Sequence, residues 1–227
     1  MTSITIQRPD GGTCNAFSAE PANAAGAPGL VVIQEWWGVN DQIKGVAEKY
    51  AAAGFRTVVP DLYRGKLGLD AKEAEHLMTN LNFADAASQD IRGAVQYLKT
   101  TGAKVGVSGY CMGGALALLS AVFVPEVDAV VTWYGFPPLE YVDATKIKAP
   151  LMGHFATEDA FFPIAMVDTL EEKLTGAGVT HTMHRYHAKH AFANETNVGK
   201  PIPIEYDSTA AATAWDRTVA FLRQNLA

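Results

Sequence analysis

The segment Gly109-Tyr110-Cys111-Met112-Gly113 joins a short strand-like run, Lys104–Ser108, to an almost unbroken apolar stretch, Met112–Phe123. A thiol on a sharp strand-to-helix turn sits at a helix N-terminus. There the helix dipole and the free backbone N–H groups favour a thiolate and, later in a reaction, an oxyanion. Such a turn requires small residues two before and two after its centre, because larger side chains would strike the backbone. A buried structural cysteine in a Gly-rich turn shares this local pattern, so the partners decide. A nucleophile elbow is followed along the chain first by an acid and then by a histidine. Asp159 lies 48 residues after Cys111, and His190 lies 31 residues further on. A Cys, Asp and His in that order suit covalent acyl transfer, with His190 taking the thiol proton and Asp159 orienting the imidazole. Glu158 and His187 are neighbouring residues of the same types. Glu158 also fits a surface or helix-capping role, and His187 is the alternative base. His181, His184 and His187 do not repeat every second residue along their strand. They alternate faces and cannot converge on one ion, so neither metal nor cofactor is expected.

These residues need elements to hold them. Leu30–Ile33 is a wholly apolar run, as a buried parallel strand should be. Phe55–Pro60, Lys104–Ser108, Ala129–Tyr134, Leu151–Phe155 and Thr180–Tyr186 are the further predicted strands. Between them, apolar residues at helical spacing predict a helix capped by Asn40 or Asp41 and ended by Gly54. Others are predicted over Ala86–Thr101, over Met112–Phe123, after Pro163 and at the C-terminus from Ala211 to Leu226. Arg64–Phe83 reads as a partly helical insertion over a sheet edge. Strand and helix alternate repeatedly, which implies a mostly parallel sheet covered on both faces. Asp159 and His190 then fall in loops after strands, and no linker or repeat divides residues 1–227.

The chain has 227 residues, 48% of them hydrophobic and 19% charged, a globular balance. A net charge of −6 with no basic run argues against nucleic acid or an anionic membrane as partner. No apolar run approaches the length of a spanning helix and no leader is evident, so a cytoplasmic protein is expected. Two cysteines, Cys14 and Cys111, exclude a disulfide framework and a four-cysteine zinc site. Cys14 is placed on an early strand at the sheet's edge.

Four segments in order resemble the dienelactone hydrolase family: Gln34-Glu35-Trp36-Trp37-Gly38-Val39-Asn40, Pro60-Asp61-Leu62-Tyr63, Gly109-Tyr110-Cys111-Met112-Gly113-Gly114 and His190-Ala191-Phe192. Trp133-Tyr134-Gly135 and Asp159-x-x-x-Pro163 extend the likeness over nearly the whole chain. The resemblance implies a single α/β-hydrolase domain without a large lid. It also implies a Cys111–His190–Asp159 triad that cleaves a lactone or ester through an acyl-enzyme. The oxyanion would be held by the backbone N–H groups of Met112 and Trp36.

Glu35 directly follows an apolar strand, where an unpaired carboxylate is expensive. The resemblance implies that it controls when Cys111 becomes a thiolate. Capping the next helix or pairing with Arg56 is the plain alternative. Trp37, Tyr63, Tyr134, Phe161 and Phe162 are expected around the pocket, with ordinary core packing an equal reading for Trp37. One departure stands out. Where the family places an arginine that holds a substrate carboxylate, this chain has Asn194, and Glu73-Ala74-Glu75-His76 supplies no second one. Loss of a guanidinium removes bidentate geometry as well as charge. Arg64, Lys66 and His76 are the candidate replacements.

The expected protein is thus a monomeric thiol hydrolase acting on a small lactone or ester, with a less anionic substrate than the resemblance alone implies. A ligand-binding scaffold without catalysis and a redox-sensing thiol are the alternatives.

Overall fold

Leu30, Val31, Val32 and Ile33 lose all solvent contact in β3 (Gly29–Ile33). They alternate between two apolar layers, Leu30 and Val32 to one side of the sheet and Val31 and Ile33 to the other. This is what a continuous apolar strand does when helices cover both faces. The computed structural model describes all residues, Met1–Ala227.

Seven other strands flank β3. They are β1 (Thr2–Gln7), β2 (Thr13–Ala19), β4 (Arg56–Pro60), β5 (Val105–Tyr110), β6 (Ala129–Trp133), β7 (Leu151–Ala156) and β8 (His181–Tyr186), in the order β1-β2-β4-β3-β5-β6-β7-β8. The pairs β1–β2 and β2–β4 are antiparallel, and the remaining pairs are parallel. This is the α/β-hydrolase arrangement. The expected edge position of Cys14 is corrected here. Cys14 lies on β2, which β1 covers, because the N-terminal residues add a further strand outside it.

α1 (Asp41–Ala52) and α7 (Ser208–Leu226) cover one face. α4 (Arg92–Lys99), α5 (Met112–Phe123) and α6 (Ile164–Gly176) cover the other. α5 is buried along nearly its whole length, which explains its lack of polarity. The segment after β4 contains α2 (Ala71–Thr79), capped by Asp70, and the single turn α3 (Phe83–Asp85). One predicted helix differs. Ala86–Ile91 forms a wider π turn before α4 begins. That turn carries Asp90, 1% exposed, to the guanidinium groups of Arg64 and Arg8. A local apolar spacing cannot report such a contact. No helix is long and apolar enough to cross a membrane.

The chain runs outward in sequence from β3 in both directions, to β4 on one side and β5 on the other. The loops after β3 and β5 therefore diverge and leave a crevice at the carboxyl ends of the strands. Glu35, Trp36 and Trp37 follow β3, and Cys111 follows β5.

Candidate active site

Cys111 adopts φ 55° and ψ −116°, a conformation that costs an L-residue about 1–3 kcal/mol and persists only where the surroundings over-determine it. The surroundings here are glycines. A Cβ on Gly109 would collide with the Gly113 carbonyl, and one on Gly135 with the Cys111 carbonyl. A Cβ on Gly113 would come within 2.5 Å of the Gln34 carbonyl oxygen. The Cys111 N–H donates to the Trp133 carbonyl at 2.9 Å, and its own carbonyl accepts from Gly114 and Ala115. The sulfur is thereby held off the sheet at the first turn of α5.

His190 Nε2 lies 3.2 Å from the Cys111 sulfur, and His190 Nδ1 lies 2.7 Å from Asp159 Oδ2. The other Asp159 oxygen accepts the N–H groups of Phe161 and Phe162 at 2.8 and 2.9 Å, so the turn after β7 fixes the carboxylate. Phe161, Phe162 and Tyr134 surround the imidazole at centroid distances of 5.0, 5.5 and 5.2 Å. Burial works against the charged imidazole, but the Cys111 sulfur and Asp159 prevail and push His190 up to about 10. The neighbouring residues of the same types are elsewhere. His187 is exposed and faces Glu158 at 3.5 Å. His181 bonds the Val179 carbonyl, and His184 stacks on His154, so the histidines of that strand serve separate partners.

Glu35 is 4% exposed, and neither plain alternative describes it. Arg56 pairs with Glu20, and Asn40 caps α1. One Glu35 oxygen accepts from the Tyr134 hydroxyl at 3.1 Å, the other from Asn194 Nδ2 at 2.8 Å. Burial raises the Glu35 pKa, while Asn194, His190 and Tyr134 oppose the rise. Asn194 is itself fixed, since its carbonyl oxygen accepts from the Thr196 N–H and hydroxyl.

These groups border a cleft of about 570 Å³ lined by 11 residues, nine of them hydrophobic. Glu35, Trp36, Trp37, Cys111, Met112, Phe161, Phe162 and His190 all reach it. The N–H of Trp36 makes no hydrogen bond, and that of Met112, first in α5, has no partner in its own helix. Tyr63, Tyr134 and Asn194 do not line the cleft. Tyr63 stands behind Met112, its hydroxyl 3.1 Å from the Met112 sulfur, and Tyr134 and Asn194 stand behind Glu35. The candidate replacement cations are absent from the lining. Arg64 is spent on Asp90, and Lys66 and His76 border a different surface depression. Met78, Ala191 and Ile204 also line the cleft without having been singled out from the sequence. Met78 lies on the apolar face of α2, a pattern that marks it as inward-facing but names no destination. Ile204 arrives by a bridge to His190 formed across a loop, for which the sequence carries no signal.

The dienelactone hydrolase family matches residues 14–226. The chain is 35% identical over 212 residues to protein usf of Aquifex pyrophilus, covering 88% of this chain and 90% of that one. It is 32% identical over 232 residues to a carboxymethylenebutenolidase of Pseudomonas putida, covering 96% and 94%. A crystal structure from Klebsiella pneumoniae that carries the dienelactone hydrolase name superimposes with a TM-score of 0.84 at 25% identity, over 98% of each chain.

Proposed function

The chain belongs to the dienelactone hydrolase family and with it to the carboxylic ester hydrolases, and from that premise we propose that it cleaves uncharged lactones or esters through Cys111, His190 and Asp159. The observation that carries this reading is the unbroken run of contacts from the Cys111 sulfur through His190 to Asp159, at 3.2 and 2.7 Å.

The chemistry follows from the placement. The sulfur attacks the substrate carbonyl carbon, and a carbon–sulfur bond forms. The oxyanion is met by the N–H groups of Met112 and Trp36, both free and both at the cleft. As the carbon–oxygen bond breaks, His190 Nε2 gives its proton to the leaving oxygen. Water then attacks the thioester, His190 takes a proton from it, and the acid departs as the thiol is restored. Asp159 keeps the imidazole aligned throughout. The proton that His190 retains up to about pH 10 is the one required by the leaving group.

An uncharged substrate is favoured because no lysine or arginine lines the cleft, and its two polar side chains besides the thiol are Glu35 and His190. A substrate carboxylate there would lose water and meet Glu35. The name of the Pseudomonas relative favours a carboxylated lactone as the second reading. Turnover of the carboxylated dienelactone and of an uncharged lactone of the same ring size separates them. The uncharged lactone is expected to have the higher kcat/KM in the wild type, with His190→Ala inactive on both. A clear preference for the carboxylated lactone would replace this reading by the second. No turnover of any lactone or aryl ester would favour a ligand-binding scaffold.

A further inference from the structure

Trp37 borders two depressions. One is the cleft at Cys111. The other, of about 800 Å³, lies between residues 68–71 and 196–202 and has a different character. Besides Trp37 its wall includes Asn40, Asp70, Thr196, Asn197 and Lys200. Several of these carry unused hydrogen-bonding capacity. Asn40 uses its carbonyl oxygen to cap α1, and its NH₂ donates to nothing. Asp70 spends one oxygen capping α2, and its other is free. Asn197 is the sharpest case. It is 1% exposed, and its Oδ1 accepts no hydrogen bond, while its NH₂ is held by the Ala191 carbonyl at 3.3 Å. A buried amide oxygen without a donor is costly. At the wall of a pocket, it points to a ligand that brings one.

The position relative to the chemistry identifies which part of a substrate this would be. Residues 196–202 belong to the excursion between His190 and its bridge partner Ile204. The polar pocket therefore opens on the histidine side of the cleft, the side from which the leaving oxygen is protonated. The cleft at the thiol is apolar and suits an acyl group. The adjoining pocket combines an indole with paired donors and acceptors, which suits a carbon ring bearing several hydroxyls. We propose that the alcohol half of the substrate is a polyol of the sugar type, seated against Trp37 with its hydroxyls on Asn197, Asp70, Asn40 and Lys200. This rests on the esterase reading above and adds the identity of the leaving group.

The test compares two butyrates of matched shape, the ester of the primary hydroxyl of glucose and cyclohexylmethyl butyrate, on wild type, Asn197→Leu and Lys200→Ala. Wild type is expected to prefer the glucose ester by about tenfold or more in kcat/KM, since a site built for hydroxyls discriminates against their absence. Both variants are expected to reduce that ratio severalfold. Lys200 is on the surface, so its variant folds even where Asn197→Leu does not. Equal rates on the two esters in wild type, or a preference that survives both substitutions, overturns the polyol assignment and leaves the esterase reading standing. Hydrolysis of neither ester nor of any aryl ester overturns both.

Discussion

Cys14 and Cys111 are both free thiols, and the protein treats them in opposite ways. Cys14 sits in regular strand geometry on β2, its sulfur 3.3 Å from Arg64 Nη1. Arg64 Nη2 donates to both oxygens of Asp90 at 2.9 Å, and Arg8 approaches the same carboxylate at 3.4 Å. Burial, with the Asp90 charge, pushes the Cys14 thiol up to about 12. Its surroundings are fully occupied with pairing one another. Cys111 occupies a strained backbone position, opens on a cleft and has one directed partner, His190. A positive neighbour alone therefore does not make a reactive thiol. Arg64 beside Cys14 is neutralised by Asp90, whereas His190 is raised by the very sulfur it faces. Reactivity here comes from access together with a partner whose proton has somewhere to go.

This contrast makes four predictions. The largest concerns turnover. Cys111→Ala is expected to lose about 10⁴-fold in kcat/KM and Cys14→Ala to stay within about twofold. Comparable losses in the two would break the distinction. Next is alkylation of the native protein by iodoacetamide at pH 8, followed by peptide mass analysis. Cys111 should react at least about 100-fold faster than Cys14, and unfolding in guanidinium should remove the difference. Third, Asp90→Ala leaves Arg64 and Arg8 without their shared partner. Urea unfolding should show a loss of about 3 kcal/mol, with the kcat/KM of the folded fraction intact. A fall in kcat/KM would mean that the Cys14 region reports to the cleft after all. The smallest effect concerns pH. His190 in the fold titrates at about 10, above the 6.5 of a free histidine. Its contribution to stability is complete below about pH 6.5 and fades as pH rises toward 10. The Tm gap between wild type and His190→Gln should shrink by a few degrees over that window. A constant gap would show that His190 gains no proton-linked stability from the sulfur.

The elbow was legible because its constraint is local. A positive φ at Cys111 demands small neighbours, and Gly109 and Gly113 display that demand in the sequence. The core strands were legible for a similar reason, since β3, β5 and β6 are buried on both faces and read as apolar runs. The π turn at Ala86–Ile91 was hidden, because what it serves, the meeting of Asp90 with Arg64 and Arg8, is fixed by residues far away in sequence. Asn194 shows the same limit. The sequence announced the missing arginine at that position, but not that the amide would hold Glu35 instead.

Residue types and their order were enough to identify a thiol nucleophile, its acid and its histidine, and the parallel sheet that carries them, because steric and helix-terminal requirements act over a few residues. Tertiary packing alone chose His190 over His187 and Asp159 over Glu158. It buried Glu35 between Tyr134 and Asn194, and it turned Arg64 away from the cleft toward Asp90. Each of those choices is a pairing between charges or hydrogen-bonding groups far apart in sequence. Their energies depend on burial and distance, quantities that exist only once the chain has folded.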